Sequence, residues 1–496
     1  MLRIVSIRSV SAMPKSQKRP INKLFIANRG EIACRTIRTC MEMGIKSVVG
    51  YSDCDALAYH VRMADEAVHL GPSPAKLSYL DVAKVIDAAR KTGCDAVFPG
   101  YGFLSEDPEF VRACRDAGMI FVGPSAEVIA RMGDKIATKD TLAAAGVPVI
   151  PGLRHVTSTQ QIVEFGAKVG WPIIIKAVAG GGGKGMVRVD APGQAAKALE
   201  QAMSIAGKLF SHGGVYAEKY VRSARHIEFQ FMADQYGEVI HLGERECSIQ
   251  RRHQKLVEEA PSSLLTDALR REMGAVVVKA MKEIGYVTAG TLEFLVDAQM
   301  RYYAIEVNPR IQVEHTVTEM VSGLDLIRLM IRTAAGQPLT IRQEDIVLRS
   351  HAIQCRVNAE DPKNHFAPSF GKVTYLRQVS GPFVRADTGI YQGWEIPPYY
   401  DSLITKICAT AKDRPTAIER MRRALSEYEI WGIKTTIPLL AKIMAHPDFA
   451  AGRFDTDFIE KHLDELLDYV EEEDEILRLA RFVADITAIG KNPYCR

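Results

Sequence analysis

Two stretches hold the densest chemistry in the sequence. One runs Glu244-Arg245-Glu246-Cys247-Ser248-Ile249-Gln250-Arg251-Arg252-His253-Gln254-Lys255, and the other holds Glu293 and then Glu306-Val307-Asn308-Pro309-Arg310-Ile311-Gln312-Val313-Glu314-His315. Glu293 lies in Thr291-Leu292-Glu293-Phe294-Leu295-Val296 and Glu306 in Tyr302-Tyr303-Ala304-Ile305-Glu306-Val307. A turn around Asp297 to Met300 separates these strand-like runs, so the two carboxylates can face one another across a hairpin. Facing carboxylates in an apolar sheet repel unless a cation lies between them, and magnesium bridging nucleotide phosphates is the natural candidate. Asn308, Arg310 and Glu314 extend the cluster, whereas His315 reads as a structural hydrogen-bonding histidine.

Gly180-Gly181-Gly182-Gly183-Lys184-Gly185 is the second feature. It contains G-x-G-x-x-G, yet the dinucleotide fingerprint requires a following helix, and Met186-Val187-Arg188-Val189 alternates like a strand. Nor is it a Walker A loop, because Gly185 follows the lysine where a Ser or Thr is needed. A glycine loop between two strands can close its bare backbone N–H groups on phosphate oxygens as a mobile lid. Lys176, ending the apolar run Ile173-Ile174-Ile175, is placed to reach the α- and β-phosphates.

The elements that must position these groups follow from hydrophobic patterning. Lys23-Leu24-Phe25-Ile26-Ala27 reads as a strand, followed by a helix through Ile32, Ile37 and Met41 that Gly44 ends. With Val48-Val49 and Ala96-Val97-Phe98 as further strands, residues 22–135 form an open α/β domain with a mostly parallel sheet. Residues 136–222 form a small unit around the glycine loop, and from His226 onward an α+β pattern divides into 223–345 and 346–460. Residues 461–496 read as an acidic helical tail on the surface. Residues 1–21 read as a disordered or misassigned extension, although the basic, serine-containing start loosely resembles a transit peptide.

Composition narrows the function classes. The chain has 496 residues, and 63 Lys plus Arg against 60 Asp plus Glu leave a charge of +3, which argues against a nucleic-acid-coating protein. No run of about 18 apolar residues suggests a membrane span. Nine cysteines without a C-x-x-C pair point to buried thiols in a reducing, cytoplasmic compartment.

Taken in order, Ile26-Ala27-Asn28-Arg29-Gly30-Glu31-Ile32-Ala33, Pro99-Gly100-Tyr101-Gly102-Phe103-Leu104-Ser105-Glu106, Met132-Gly133-Asp134-Lys135, the glycine loop, residues 250–255, residues 308–315 and Pro397-Pro398-Tyr399-Tyr400-Asp401-Ser402 resemble the ATP-grasp biotin carboxylases over about residues 22–460. The resemblance implies that fold: an N-terminal α/β domain, a glycine-loop lid, a catalytic core and a C-terminal α+β domain. It implies that Lys135, Lys176, Gly181, Gly182, Gly183, His226, Gln250, His253 and Leu295 serve ATP, with Glu218, Lys219 and Val221 at the hinge that meets adenine. Glu293, Glu306 and Asn308 would hold magnesium or manganese. Lys255, Arg310, Gln312 and the backbone at Val313 would bind bicarbonate, Glu314 would deprotonate it, and Arg356 would stabilise the biotin enolate.

Phe98, where many relatives have His, and Pro309, where some have Thr, depart from the family pattern. The chain has no Met-Lys-Met biotinylation site, so the resemblance implies biotin carried by a partner, either a biotin carboxyl carrier protein or a biotinylated carboxyltransferase subunit. It also implies a homodimer. The tail patterns around 456–460 and 482–486 look more like pyruvate carboxylase subunits than acyl-CoA carboxylase subunits, which stay as the alternative. Another ATP-grasp carboxylate–amine ligase and a catalytically silent scaffold are the remaining readings. Residues 250–255 and Arg356 speak against the first, and the joint presence of Glu293, Glu306, Arg310 and Glu314 against the second.

Overall fold

A computed structural model describes residues 19–177, 186–209, 214–469 and 483–484. Gly181, Gly182 and Gly183, most of the N-terminal extension and most of the acidic tail lie outside the described residues.

Five parallel strands build the first sheet: β1 (Lys23–Ile26), β2 (Lys46–Ser52), β3 (Glu66–Gly71), β4 (Ala96–Phe98) and β5 (Ile120–Phe121), in the order β3-β2-β1-β4-β5. Alternation along β1 sends Phe25 to one core with Val48 and Val97, and Leu24 and Ile26 to the other with Val49 and Phe98. Beyond β1 the chain enters helix α1 (Gly30–Met43), which stops at Gly44 in the left-handed conformation, φ 68°.

A four-stranded antiparallel sheet follows, of β6 (Gly152–Leu153), β7 (Ile173–Ala177), β8 (Met186–Val189) and β9 (Val215–Lys219), ordered β6-β9-β7-β8. Ile173, Ile175, Val215 and Ala217 pack on Ala198, Ala202 and Ala206 of the helix Ala195–Leu209.

The third sheet is antiparallel and has eight strands. It contains β10 (Arg225–Ala233), β11 (Val239–Arg251), β12 (Gln254–Ala260), β13 (Thr288–Val296), β14 (Tyr302–Asn308), β15 (His351–Asn358) and two strands over Leu403–Ala411 and Val384–Thr388, in the order β14-β13-β10-β11-β12-β15 and then those two. Ile227, Phe229 and Phe231 of β10 pack on Met273, Val277 and Met281 of the helix Asp267–Ile284. His226, Glu228 and Gln230 take the opposite face by the same alternation. Because β12 bonds to β15, with Glu258 opposite Gln354, one continuous sheet carries both the carboxylate cluster and the strand bearing Arg356. Among the described residues no helix is long and apolar enough to cross a membrane, and eight cysteines are free thiols, all buried except the half-buried Cys54.

Candidate active site

Register brings the acids together. Glu293 stands opposite Glu306 on one side and Glu228 on the other, which puts three carboxylates in a row across β14, β13 and β10. The Lys255 ammonium from β12 reaches Glu228 Oε2 at 2.6 Å, Glu314 Oε1 at 2.7 Å and Glu293 Oε1 at 3.1 Å. Burial works against its charge, but these acids, with Cys247 beside them, hold its pKa well above the lysine range. Glu293 Oε1 also accepts Gln312 Nε2 (2.6 Å) and Asn308 Nδ2 (2.7 Å), and His226 Nε2 meets Oε2 at 2.6 Å. Burial alone would raise the Glu293 pKa; Lys255 and His226 outweigh it and keep the group ionised.

Glu314 stands just before the helix His315–Ser322, where the helix dipole favours an anion. Its second oxygen accepts Arg356 Nη2 at 2.9 Å, while Arg356 Nε donates to Glu258 at 2.5 Å. Burial pushes the Glu314 pKa up, yet Lys255, Arg356 and Arg245 bring it well below the carboxylate range. Arg310 Nε donates to Glu106 of the N-terminal unit at 2.5 Å, and its Nη2 to Asn308 Oδ1 at 3.0 Å.

The nucleotide set expected from the sequence divides. Lys176 Nζ pairs with Glu218 Oε2 at 2.7 Å across β7 and β9, and Glu218 also meets Lys139. Lys219 Nζ donates to the Gly170 carbonyl (2.8 Å), and Val221 is half-buried just past β9. His226 lies opposite Leu295 in the β10–β13 register, and Gln250 Nε2 is 3.4 Å from His226 Nδ1. His253 is exposed in the turn between β11 and β12 at φ 67°, and Lys135 opens the helix Lys135–Ala144.

The donor set suits a hard divalent cation at one edge. No hydrogen bond or ion pair reaches the Glu306 carboxylate among the described residues, and burial together with the Glu293 charge raises its pKa, so a cation there would relieve both. Glu293 and Glu306 therefore fit magnesium. Asn308 turns its amide nitrogen to Glu293 and its oxygen to Arg310, an arrangement that orients Glu293 and leaves the oxygen a second lone pair that could face an ion.

Three residues that complete the site were not singled out from the sequence: Glu228, Glu258 and Arg245. Arg245 is fully buried, and its guanidinium donates to Glu228 (2.5 Å), Gln230 (2.8 Å), Thr318 (3.0 Å), Thr291 (3.2 Å) and Gln312 (2.6 Å). The signal for Glu228 was the alternation His226, Glu228, Gln230 against Ile227, Phe229, Phe231; Arg245, between Glu244 and Glu246, and Glu258, between Val257 and Glu259, show no comparable alternation.

Residues 20–129 match the family described as biotin carboxylase, N-terminal domain, residues 134–342 the carbamoyl-phosphate synthase L chain, ATP binding domain, and residues 354–461 the biotin carboxylase C-terminal domain. The chain is 48% identical over 444 residues to biotin carboxylase 1 of Bacillus subtilis, covering 89% of this chain and 99% of that protein. It is also 48% identical to a pyruvate carboxylase subunit of Methanothermobacter thermautotrophicus, covering 89% and 90%. The crystal structure of the biotin carboxylase domain dimer of Hydrogenobacter thermophilus 2-oxoglutarate carboxylase, in complex with MgADP, ADP and bicarbonate, superposes with a TM-score of 0.88 at 47% identity, covering 91% of this chain and 99% of that one. Fold and site together define an ATP-grasp enzyme, with a small four-stranded sheet and a large eight-stranded sheet that carries the acids. Within that class, the chain belongs to the biotin carboxylase family.

Proposed function

We propose that the chain carboxylates biotin presented by a separate carrier protein, using ATP and bicarbonate, as the first half-reaction of a carboxylase whose final acceptor is a 2-oxo acid, pyruvate foremost. The observation that carries the reaction is Glu314 held between Lys255 at 2.7 Å and Arg356 at 2.9 Å. Bicarbonate must lose a proton to attack the γ-phosphate well, and a carboxylate flanked by two cations offers both the base and the anion site. Lys255 and Arg310 would hold bicarbonate, with the Val313 backbone N–H as a third donor.

In this arrangement Lys255 and Arg356 spend their charge on Glu314, which weakens it as a base. When Lys255 turns toward bicarbonate and Arg356 toward the ureido oxygen of biotin, Glu314 loses both partners and its basicity rises where the proton must be taken. Magnesium at Glu293 and Glu306 would neutralise phosphate charge. Lys135, Lys176, His226, Gln250 and His253 would orient the nucleotide, and keeping water from the site would spare the activated carboxyl group from hydrolysis.

The 2-oxo acid acceptor draws support from the names of two relatives, the pyruvate carboxylase subunit and 2-oxoglutarate carboxylase. Full-rate ATP hydrolysis by the purified chain is expected to require magnesium, bicarbonate and free biotin together. Equal rates with biotin omitted would remove the assignment. With its native carrier and transferase bound, bicarbonate carbon should reach pyruvate and not acetyl-CoA.

A further inference from the structure

The two backbone N–H groups of Val313 and Glu314 have no hydrogen-bond acceptor among the described residues, although Val313 is half-buried and Glu314 buried. Their carbonyl counterparts are pinned. Gln312 O accepts His315 Nδ1 at 2.7 Å and His315 N at 3.3 Å, and Val313 O accepts Lys406 Nζ at 3.0 Å. In a trans peptide the C=O and the following N–H point in opposite directions. Pulling Gln312 O toward His315 therefore aims the Val313 N–H the other way, and pulling Val313 O toward Lys406 does the same for the Glu314 N–H.

Both pins are built deep in the molecule. Lys406 is fully buried on the strand Leu403–Ala411, with its ammonium 2.9 Å from Glu31 Oε2 of α1 and 4.0 Å from Asp387 Oδ2. Asp387 is held in turn by Arg385 at 2.7 and 2.9 Å, whereas Glu31 has Lys406 as its only ion-pair partner among the described residues. His315 is fully buried, with Lys406, Arg35 and Arg385 near enough to disfavour a second positive charge; its ring stays neutral and donates through Nδ1.

We propose that Lys406 and His315 are positioning residues of the bicarbonate site: they fix the two peptide units around Val313 so that the backbone N–H groups, and the direction in which the Glu314 side chain leaves the chain, are set before substrate arrives. The inference rests on the reading that bicarbonate binds beside Lys255, Arg310 and Val313. Lys406 touches none of the reacting atoms, so its removal should separate the two substrates.

The test is steady-state kinetics of biotin-dependent ATP hydrolysis. Lys406→Met should raise KM for bicarbonate about tenfold, the equivalent of about 1.4 kcal/mol, while KM for MgATP stays within about twofold; Lys406→Arg should recover most of the loss. Glu31→Gln keeps the volume at α1 and should shift bicarbonate KM in the same direction, which serves if Lys406→Met does not fold. Arg310→Gln separates loss of a bicarbonate contact from loss of its positioning. If Arg310→Gln raises bicarbonate KM while Lys406→Met and Glu31→Gln leave it unchanged or move both KM values in parallel, the positioning role is overturned. If Arg310→Gln itself leaves bicarbonate KM unchanged, the reading of the bicarbonate site fails, and the positioning role falls with it.

Discussion

Glu314 shows how a single carboxylate can be both buried and ionised. Burial alone would favour the protonated acid, but Lys255, Arg356 and Arg245 reverse that preference. The cations also weaken Glu314 as a base in this arrangement, and the proposed reaction has substrate draw them off. Substituting Glu314→Gln keeps size and hydrogen-bonding capacity but removes the proton acceptor. Turnover is expected to fall by about 10² to 10⁴, the usual worth of a positioned base, with nucleotide affinity measured by equilibrium binding unchanged. Affinity falling in step with rate would move Glu314 from base to nucleotide contact. The site's acids were legible in the sequence because Glu293 and Glu306 flank a turn at matching positions, and the register pairs them. The cations that tune them were harder to see, since which acid Lys255 or Arg245 meets is decided by strand order, and β10 neighbours β13 across about 60 residues of chain.

At the scale of elements, the α/β start and the two strands around the glycine loop followed from local patterning, as the pairing of β7 with β8 from Ile173 opposite Val189 to Lys176 opposite Met186 illustrates. What patterning left open was how the last strands join. The sheet runs from β12 into β15 and on to Val384–Thr388, whose end meets the N-terminus of α1. Gly389 marks that meeting: a Cβ there would lie 2.8 Å from Glu31 N and 2.9 Å from Gly30 C. Both are backbone atoms and cannot swing aside as a side chain would. Gly389→Ala should therefore push α1 from the strand and destabilise the protein by about 1–3 kcal/mol, the range for overpacking, seen as a fall of several degrees in Tm by calorimetry. An unchanged Tm would show that the junction yields freely, and the seating of Glu31 beside Lys406 would then have little rigidity behind it.

At the scale of the whole molecule, Glu259 ties the sheet to the C-terminal helices through Arg414. Glu259 of β12 meets His351 Nε2 of β15 at 3.1 Å and Arg414 Nε of the helix Arg414–Glu427 at 2.8 Å, and Arg414 Nη1 reaches Ala450 O at 2.8 Å. Burial would raise the Glu259 pKa, but His351 and Arg414 lower it from the ordinary 4.5 to about 2. Because the folded pKa lies below the unfolded one, folding favours the ionised acid. That stability is fully present above pH 4.5, declines as pH drops below it and is gone once pH has passed through about 2. Glu259→Gln removes the titrating group and leaves the half-buried Arg414 without its counter-ion, which should cost about 1.5–3 kcal/mol at neutral pH, the worth of a hydrogen bond to a charged group. Between pH 4.5 and 2 the variant should lose less further stability than the parent in urea titrations at fixed pH, so the two curves converge on acidification. Other carboxylates titrate in the same interval in both proteins, and the difference between the curves isolates this one. Parallel curves across the interval would mean that Glu259 carries no pH-dependent share of the contact between the sheet and the C-terminal helices.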